Sequence, residues 1–284
     1  MHILAATDFS TRSQRALRRA GLLARDSGAE LTLVHVVDDD QPPDLVALER
    51  REAERILGEQ IDAIPELHGL RPRALVVEGD PFDGILRAAA STGADLVVMG
   101  AHRKQLLRDI LVGTTIERVI RTGPFPVLMV NKEVGQPYRT ALAPVDLSEP
   151  SVNAIRTGMA LGLPGGARLA LVHAFLPLAK GQMFYAGLSR ETIDGYVADE
   201  GLRATKELIA FLEANGLDDY GQSMRVDEGA PFEVISKVVE QSSPDVLIMG
   251  THGRTGIVKA LLGSVTEEVL RSLDVDILAV PPLR

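Results

Sequence analysis

The stretch EGDPFDGILRAAASTGADLVVMG, residues 78–100, has a near-copy 150 positions later, EGAPFEVISKVVEQSSPDVLIMG, residues 228–250. Each stretch begins with a glycine turn, continues through a helix-like segment and ends in a short apolar strand that stops at a glycine. Earlier motifs repeat as well: TDFS at residues 7–10 matches VDLS at residues 145–148, at an offset of 138 positions. Motifs that keep their order through both halves of a chain indicate a tandem duplication.

The length of 284 residues suits two domains of ordinary size. We predict one domain over residues 1–132 and a second over residues 139–284. The linker, residues 131–139, is polar, and we expect it at the surface. Because the offset grows from 138 to 150 positions, the second copy carries a net insertion of 12 residues between His173 and Gly229.

Strands and helices are predicted to alternate within each copy. In the first copy the predicted strands are 3–7, 30–37, 73–78, 95–99 and 126–130, with helices at about 11–27, 44–64, 81–92 and 114–122, and strand one of the second copy is predicted at 141–145. This alternation predicts the α/β class, with two doubly wound, five-stranded parallel sheets. Such sheets bind ligands beyond the carboxyl ends of their strands, here near Asp8 and Gly100 or near Asp146 and Gly250.

Composition argues against several classes of partner. The net charge is −9, so we expect no binding to nucleic acid or to an anionic membrane. The chain has no cysteine and no apolar run long enough to span a bilayer. It begins with a strand-like segment rather than with a secretion signal, and we therefore expect a cytoplasmic location.

A glycine-rich loop follows strand four of the second copy: MGTHG at residues 249–253, then LGSVTE at residues 262–267. Gly250 leaves a strand, where we expect it to supply backbone freedom. Gly253 would let a ligand approach the backbone, and Gly263 with Ser264 would open a helix whose first N–H groups attract an anion. The same letters also fit a glycine-rich turn followed by an ordinary helix, because Ser264 and Glu267 have capping-box spacing. The pattern is neither a Walker A loop nor a dinucleotide-binding loop.

The segments PVDLS (144–148), LVHA (171–174), IMGTHGRT (248–255) and LGSVTE (262–267) together closely resemble the ATP-binding branch of the universal stress protein family. The resemblance covers both copies. It implies an adenine nucleotide alpha hydrolase-like fold of strand order 3-2-1-4-5, with two such domains paired face to face. It also implies that these second-copy residues bind the nucleotide: Pro144, Val145, Asp146, Ala174, Met249, Gly250, His252, Gly253, Arg254, Gly263, Ser264, Val265 and Thr266. Ala174 is smaller than the valine that is usual there.

The first copy departs from this pattern, since Arg103 stands where the second copy has Gly253. Its side chain would either block the site or offer charge to a phosphate. The first-copy residues that match the nucleotide site are Ala6, Thr7, Asp8, Val36, Gly100, Arg103, Gly113 and Thr114. A purely structural role for this copy, as a partner of the second, is the favoured alternative.

The resemblance predicts a stress-response or regulatory protein that binds ATP, with or without Mg²⁺, chiefly in its second domain. We expect binding rather than chemistry, with slow hydrolysis at most. The alternative is a scaffold or small-molecule binder of the same fold that has no nucleotide. We expect no resident metal site. The protein partner is unknown from sequence, and an intramolecular domain pair or a homodimer is expected.

Three further features carry predictions. The last strands of the two copies, 127–130 and 277–280, are expected to pair edge to edge within the chain. His35 and His173 are expected to be half-buried strand residues with a hydrogen-bond partner each. The inserted region, residues 176–201, is either a mobile apolar flap or a surface helix with some core contacts.

Overall fold

The computed structural model describes residues 1–101, 114–163, 168–253 and 262–283. The ten strands are β1 (His2–Ala6), β2 (Glu30–Val37), β3 (Arg73–Glu78), β4 (Leu96–Gly100), β5 (Val127–Val130), β6 (Thr140–Pro144), β7 (Arg168–Phe175), β8 (Met224–Glu228), β9 (Val246–Gly250) and β10 (Asp276–Val280). The helices in the described part are α1 (Thr11–Ser27), α2 (Pro43–Ala63), α3 (Pro81–Thr92), α4 (Thr115–Thr122), α5 (Glu149–Ala160), α6 (Lys180–Tyr185), α7 (Arg190–Ala214), α8 (Pro231–Ser242) and α9 (Ser264–Ser272). Most boundaries fall within one residue of their predicted positions.

All ten strands form one sheet, in the order β3-β2-β1-β4-β5-β10-β9-β6-β7-β8. Each half has the predicted order 3-2-1-4-5, and every strand pair within a half is parallel. The halves join where β5 pairs antiparallel with β10, with Leu128 opposite its repeat equivalent Leu278. The predicted edge pairing is therefore confirmed. The expectation that the domains pair face to face is wrong, because their sheets meet at an edge and continue into one another.

Local sequence explains where the first helix begins and ends. Ser10 is the N-cap of α1, and its side chain accepts a hydrogen bond from the Ser13 N–H. Gly28 ends the helix in the left-handed conformation, at φ 67°, which glycine adopts at no steric cost. Asp95 was predicted as the first residue of a strand. It lies just before β4 instead, and its carboxylate accepts the N–H of His2.

Most of the linker between the copies lies at the surface, as predicted, but two of its residues are buried. Val134 and Tyr138 are both almost inaccessible to solvent. The Tyr138 hydroxyl donates to the carboxylate of Asp276 at 2.6 Å. Arg19 stacks on the Tyr138 ring, with the guanidinium carbon 3.9 Å from the ring centroid. Through Tyr138, the linker thus contacts both the first helix of copy one and the last strand of copy two.

The inserted region forms α6 and the start of α7. Helix α6 buries no residue, and Leu178, Phe184 and Tyr185 around it are 85%, 71% and 90% exposed. Within the inserted region helix α7 buries Ile193, and beyond that region it places Leu208 and Leu212 in the core. Helix α7 is therefore a surface helix with core contacts, as one of the two alternatives predicted, while α6 presents an apolar surface to solvent.

Across the described residues, no helix combines the length and hydropathy needed to cross a bilayer.

Candidate functional site

A cavity of about 350 Å³ lies at the carboxyl ends of β6, β7 and β9. This is the position that the doubly wound topology predicts for a ligand. Twelve residues that the sequence nominated line it: Pro144, Val145, Asp146, Ala174, Met249, Gly250, His252, Gly253, Gly263, Ser264, Val265 and Thr266. Arg254, also nominated, lies outside the described residues. Segments that are more than 100 residues apart in the chain therefore converge on one cavity.

Six lining residues were missed from the sequence: Ser151, Val172, His173, Pro231, Val234 and Ile235. Pro231, Val234 and Ile235 belong to the first turns of α8, which covers one side of the cavity. The match between GDPF at residues 79–82 and GAPF at residues 229–232 was visible in the sequence. Nothing local indicated that the helix following GAPF faces the cavity. Val172 and His173 precede the nominated Ala174 on β7.

One end of the cavity is apolar. Val172 and Met249 from the sheet form one apolar cluster with Val234 and Ile235 of α8, and Ala174 lies partly buried against this cluster. An apolar slot between a sheet and a helix suits a flat, weakly polar group such as a heterocyclic base.

The opposite end of the cavity is formed by the start of α9. Gly263 is the N-cap of this helix, and no side chain of the described residues caps it. The N–H groups of Ser264, Val265 and Thr266 have no intrahelical acceptor, as at any helix start. This corrects the capping-box prediction, because Ser264 is the first helical residue rather than the N-cap. Among the described residues these N–H groups have no hydrogen-bond partner, so the helix start offers them to an anion.

The Thr266 hydroxyl has a structural task at this end of the cavity. It is buried and donates to the Gly250 carbonyl at 3.0 Å, so only its lone pairs are left for a ligand. Thr266 is one of the residues nominated to bind the nucleotide, and the structure uses its hydroxyl proton to tie the helix start to the end of β9.

Asp146 is held in place by the turn that follows β6. Its carboxylate accepts hydrogen bonds from both the N–H and the hydroxyl of Ser148. Leu147 between them has a φ of 59°, which is uncommon for a residue with a branched side chain. Phe9, the equivalent residue of copy one, has a φ of 62°. Such backbone strain is retained where the surrounding structure fixes a functional group.

The three glycines of the loop have different reasons to be glycine. A Cβ at Gly250 would lie 3.0 Å from the Pro150 carbonyl oxygen, so this glycine permits close packing of α5 on β9. The prediction that Gly250 supplies backbone freedom is therefore wrong. A Cβ at Gly253 would lie 2.8 Å from Oδ2 of Asp146, so this glycine leaves room for the carboxylate. A Cβ at Gly263 would make only ordinary contacts, the nearest at 3.5 Å.

The two strand histidines and the loop histidine differ in what they contact. His173 Nδ1 lies 2.7 Å from the Val145 carbonyl oxygen, and since a carbonyl only accepts, that nitrogen carries the proton. His35 makes the same contact with the Thr7 carbonyl in copy one, at 2.8 Å, so both predictions of a partnered strand histidine are confirmed. Burial lowers the pKa of His35 below its ordinary value. His252 Nδ1 pairs with the Thr251 hydroxyl, and its buried Nε2 has no partner among the described residues.

The first copy has a smaller cavity at the matching position, about 150 Å³ in volume. The nominated Ala6, Thr7, Asp8, Val36 and Gly100 line it. Arg12 also lines it, at the position that Pro150 occupies in the second copy. Arg103 and Gly113 lie outside the described residues.

Thr114, the remaining nominated residue of the first copy, does not line this cavity. It is the N-cap of α4, in a capping box with Glu117. The Thr114 N–H donates to Glu117 Oε2 at 3.0 Å, and the Glu117 N–H donates to the Thr114 hydroxyl at 3.3 Å. The helix start that would meet a phosphate in copy one is thus occupied by the chain's own carboxylate.

Two doubly wound sheets in tandem, with a cavity at the carboxyl ends of the strands in each half, define the class of this protein. A family model described as "Universal stress protein family" matches residues 1–131 and again residues 137–281. The chain belongs to the universal stress protein family, in a form with two tandem domains.

Individual relatives agree with this assignment. Universal stress protein E of Escherichia coli K12 is 28% identical over 208 residues, which are 71% of this chain and 65% of that protein, so the match spans just under two thirds of the relative. A universal stress protein of Thermus aquaticus is 33% identical over 139 residues, 45% of this chain and 96% of that protein. A universal stress protein of Archaeoglobus fulgidus has a similar fold, with a TM-score of 0.68 at 20% identity over 99% of this chain and 98% of that one.

Proposed function

We propose that the second domain binds an adenine nucleotide, ATP with or without Mg²⁺, and that the first domain serves chiefly as its paired structural partner. The observation that carries the proposal is the composition of the larger cavity: an apolar slot at one end and the uncapped start of α9 at the other. A base with a phosphate chain has this same division between a flat weakly polar end and an anionic end.

Each end has a definite role in the proposal. The base lies among Val145, Ala174 and Met249, while Asp146 accepts hydrogen bonds from the ribose hydroxyls. The phosphates meet the N–H groups of Ser264, Val265 and Thr266. His252 lines the cavity, and its Nε2, which has no partner in the described part of the chain, is a further donor when Nδ1 accepts from the Thr251 hydroxyl.

Binding, rather than reaction, is the proposed activity. The described residues of the cavity include no pair of carboxylates and no nucleophile with an adjacent base. The bound nucleotide would order the loop around Gly253 and change a surface that a partner in the cytoplasm reads during stress. Any hydrolysis is expected to be slow.

The first domain is less suited to the same ligand for two reasons. Its cavity has less than half the volume of the second. The capping box of Glu117 also places a negative charge at the helix start where phosphates would lie.

A calorimetric titration with ATP·Mg tests the proposal. The parent protein should bind one nucleotide per chain. Gly253→Ala should weaken binding roughly tenfold or more, since its Cβ would push the Asp146 carboxylate out of position and cost a hydrogen bond to the ribose. Gly195→Ala, in an open position on α7, is the matched control and should bind as the parent does. The proposal fails if the parent gives no heat and releases no nucleotide on denaturation.

The alternative is a scaffold that works without a nucleotide, and one observation favours it. The apolar side chains of Leu178, Phe184 and Tyr185 are exposed on the insertion, where a protein partner could cover them. Replacing Phe184 by Ser should leave ATP binding unchanged under our proposal. Under the scaffold alternative the parent binds no nucleotide at all, so the same titration separates the two.

A further inference from the structure

The two repeats begin the same helix in two different ways. In copy one, Thr114 caps α4 and Glu117 folds back onto the Thr114 N–H. In copy two the equivalent residues are Ser264 and Glu267, which have the same spacing. There, however, Ser264 is already helical, Gly263 is the N-cap, and no described side chain caps the helix. One sequence pattern thus gives a closed helix start in copy one and an open helix start in copy two.

Arg271 holds Glu267, the first-turn carboxylate of α9, in an ion pair. Its Nη2 lies 2.8 Å from Oε1 of Glu267, one helical turn earlier on the same helix. Its Nε donates to Oε1 of Glu117 in the other copy at 3.1 Å. The two carboxylates hold the guanidinium from both sides, and the guanidinium in turn holds Glu267 towards the C-terminal end of α9.

This arrangement breaks the symmetry between the copies. Arg121 is the repeat equivalent of Arg271, and by symmetry it would pair with Glu267. No ion pair of Arg121 is found among the described residues, and Arg271 contacts both carboxylates instead. Only the copy with the larger cavity therefore has its first-turn carboxylate held away from the helix start.

We propose that Arg271 is a positioning residue of the nucleotide site, which keeps the start of α9 open by holding Glu267 away from it. The inference rests on the proposed nucleotide binding. When Arg271 is lost, Glu267 takes the position of Glu117 in copy one, and its carboxylate competes with the phosphates for the Ser264 N–H. The ion pair across the copies, from Arg271 to Glu117, makes this opening depend on the pairing of the domains.

The size of the effect follows from what the phosphates would lose. A hydrogen bond between a backbone N–H and an anionic group is among the strong, charge-assisted kind, and a carboxylate at the same helix start also repels the phosphates. We expect Arg271→Ala to weaken ATP binding roughly tenfold to a hundredfold.

The experiment is an ATP·Mg titration of the full chain in five forms: parent, Arg271→Ala, Glu267→Ala, the double variant with both changes, and Arg121→Ala. Arg271→Ala should bind weakly, and the double variant should recover affinity to within about threefold of the parent, because the competing carboxylate is gone. Glu267→Ala and Arg121→Ala should bind as the parent does. Recovery cannot come from Glu117, since the double variant lacks its partner just as the single variant does.

Two results of the titration would overturn the inference while leaving nucleotide binding intact. In one, Arg271→Ala binds ATP as tightly as the parent. In the other, affinity falls but the double variant does not recover, which would mean that Arg271 acts through the fold rather than through Glu267.

A second readout needs no nucleotide, so that the failure of the proposed function can be recognised separately. In the ligand-free protein, the amide proton resonance of Ser264 should move downfield in Arg271→Ala, because its N–H then donates to the Glu267 carboxylate. It should not do so in the parent or in the double variant. If the parent binds no ATP, the proposed function fails, and an unchanged Ser264 resonance then overturns the positioning role as well.

Discussion

Asp276 is the residue whose loss should do most harm to the pairing of the two domains. Its carboxylate accepts the N–H groups of Asn131 and Lys132 at 2.8 and 2.9 Å and the Tyr138 hydroxyl at 2.6 Å. Arg19 of the first copy lies beside it, with Nε 3.6 Å from Oδ2. The side chains of Arg19 and Asp276 are 5% and 1% exposed, so water cannot take over these contacts.

The magnitude follows from this burial. Removing one partner of a buried ion pair leaves a charge without compensation and costs about 3–5 kcal/mol. Asp276→Ala also leaves the buried Tyr138 hydroxyl without its acceptor. We therefore expect the free energy of unfolding to fall by about 3 kcal/mol or more. Asp95, which is half exposed and accepts one backbone N–H, is the control, and Asp95→Ala should cost about 1 kcal/mol.

The assay is urea denaturation followed by far-ultraviolet circular dichroism, since the chain has no tryptophan. Loss of the cluster should lower the midpoint and separate the transitions of the two halves, because the linker and both copies meet at Asp276. A midpoint for Asp276→Ala that equals that of Asp95→Ala would refute the reasoning and place this cluster among contacts of little energetic weight.

Two further predictions concern stability. Alanine at Gly100, Gly250 and Gly263 should destabilise the protein in that order, because the atom nearest to the new Cβ lies at 2.6, 3.0 and 3.5 Å. Thermal melts should show a loss of about 1–3 kcal/mol for the first two variants and little loss for the third. Equal losses in all three would contradict the packing argument. Burial, together with the charge of Asp276, raises the pKa of Tyr138 well above its ordinary value, so the folded state retains the proton more tightly than the unfolded state. That contribution to stability is complete below pH ~10 and is lost as the pH rises further. Tyr138→Phe should be less stable than the parent at neutral pH but lose less stability above pH 10 in denaturation curves, and parallel pH profiles would count against it.

The sequence predicted the repeat, the class of fold, the strand order and nearly every boundary because these depend on local patterns. Apolar strands that end in glycine, such as residues 246–250, are recognisable from a few neighbouring letters. The duplication doubled this information, since each copy supports the interpretation of the other. The position of the cavity, at the carboxyl ends of β6, β7 and β9, was also predictable because the topology alone places these strand ends together.

What the sequence did not predict depends on contacts between distant segments. The capping spacing of Ser264 and Glu267 is identical to that of Thr114 and Glu117, yet Glu117 caps its helix while Glu267 pairs with Arg271 one turn further along. The role of Gly250 was misjudged because its neighbour, the Pro150 carbonyl, lies 100 positions earlier in the chain.

The burial of two residues in the otherwise exposed linker was missed for a similar reason. Residues 131–139 look polar in sequence, and nothing local indicates that Tyr138 meets Asp276 and Arg19. The edge pairing of β5 and β10 was expected from the exposed strands, yet the face-to-face arrangement taken from the resemblance did not allow for a continuous sheet.

A crystal structure of the protein grown with ATP·Mg is the measurement that most directly tests where the nucleotide lies. Our account predicts density for one nucleotide per chain, with the base against Val145 and Met249 and the phosphates at the N–H groups of Ser264 and Val265. Density in the first-copy cavity alone, or a second cavity filled by the protein's own side chains, would contradict it.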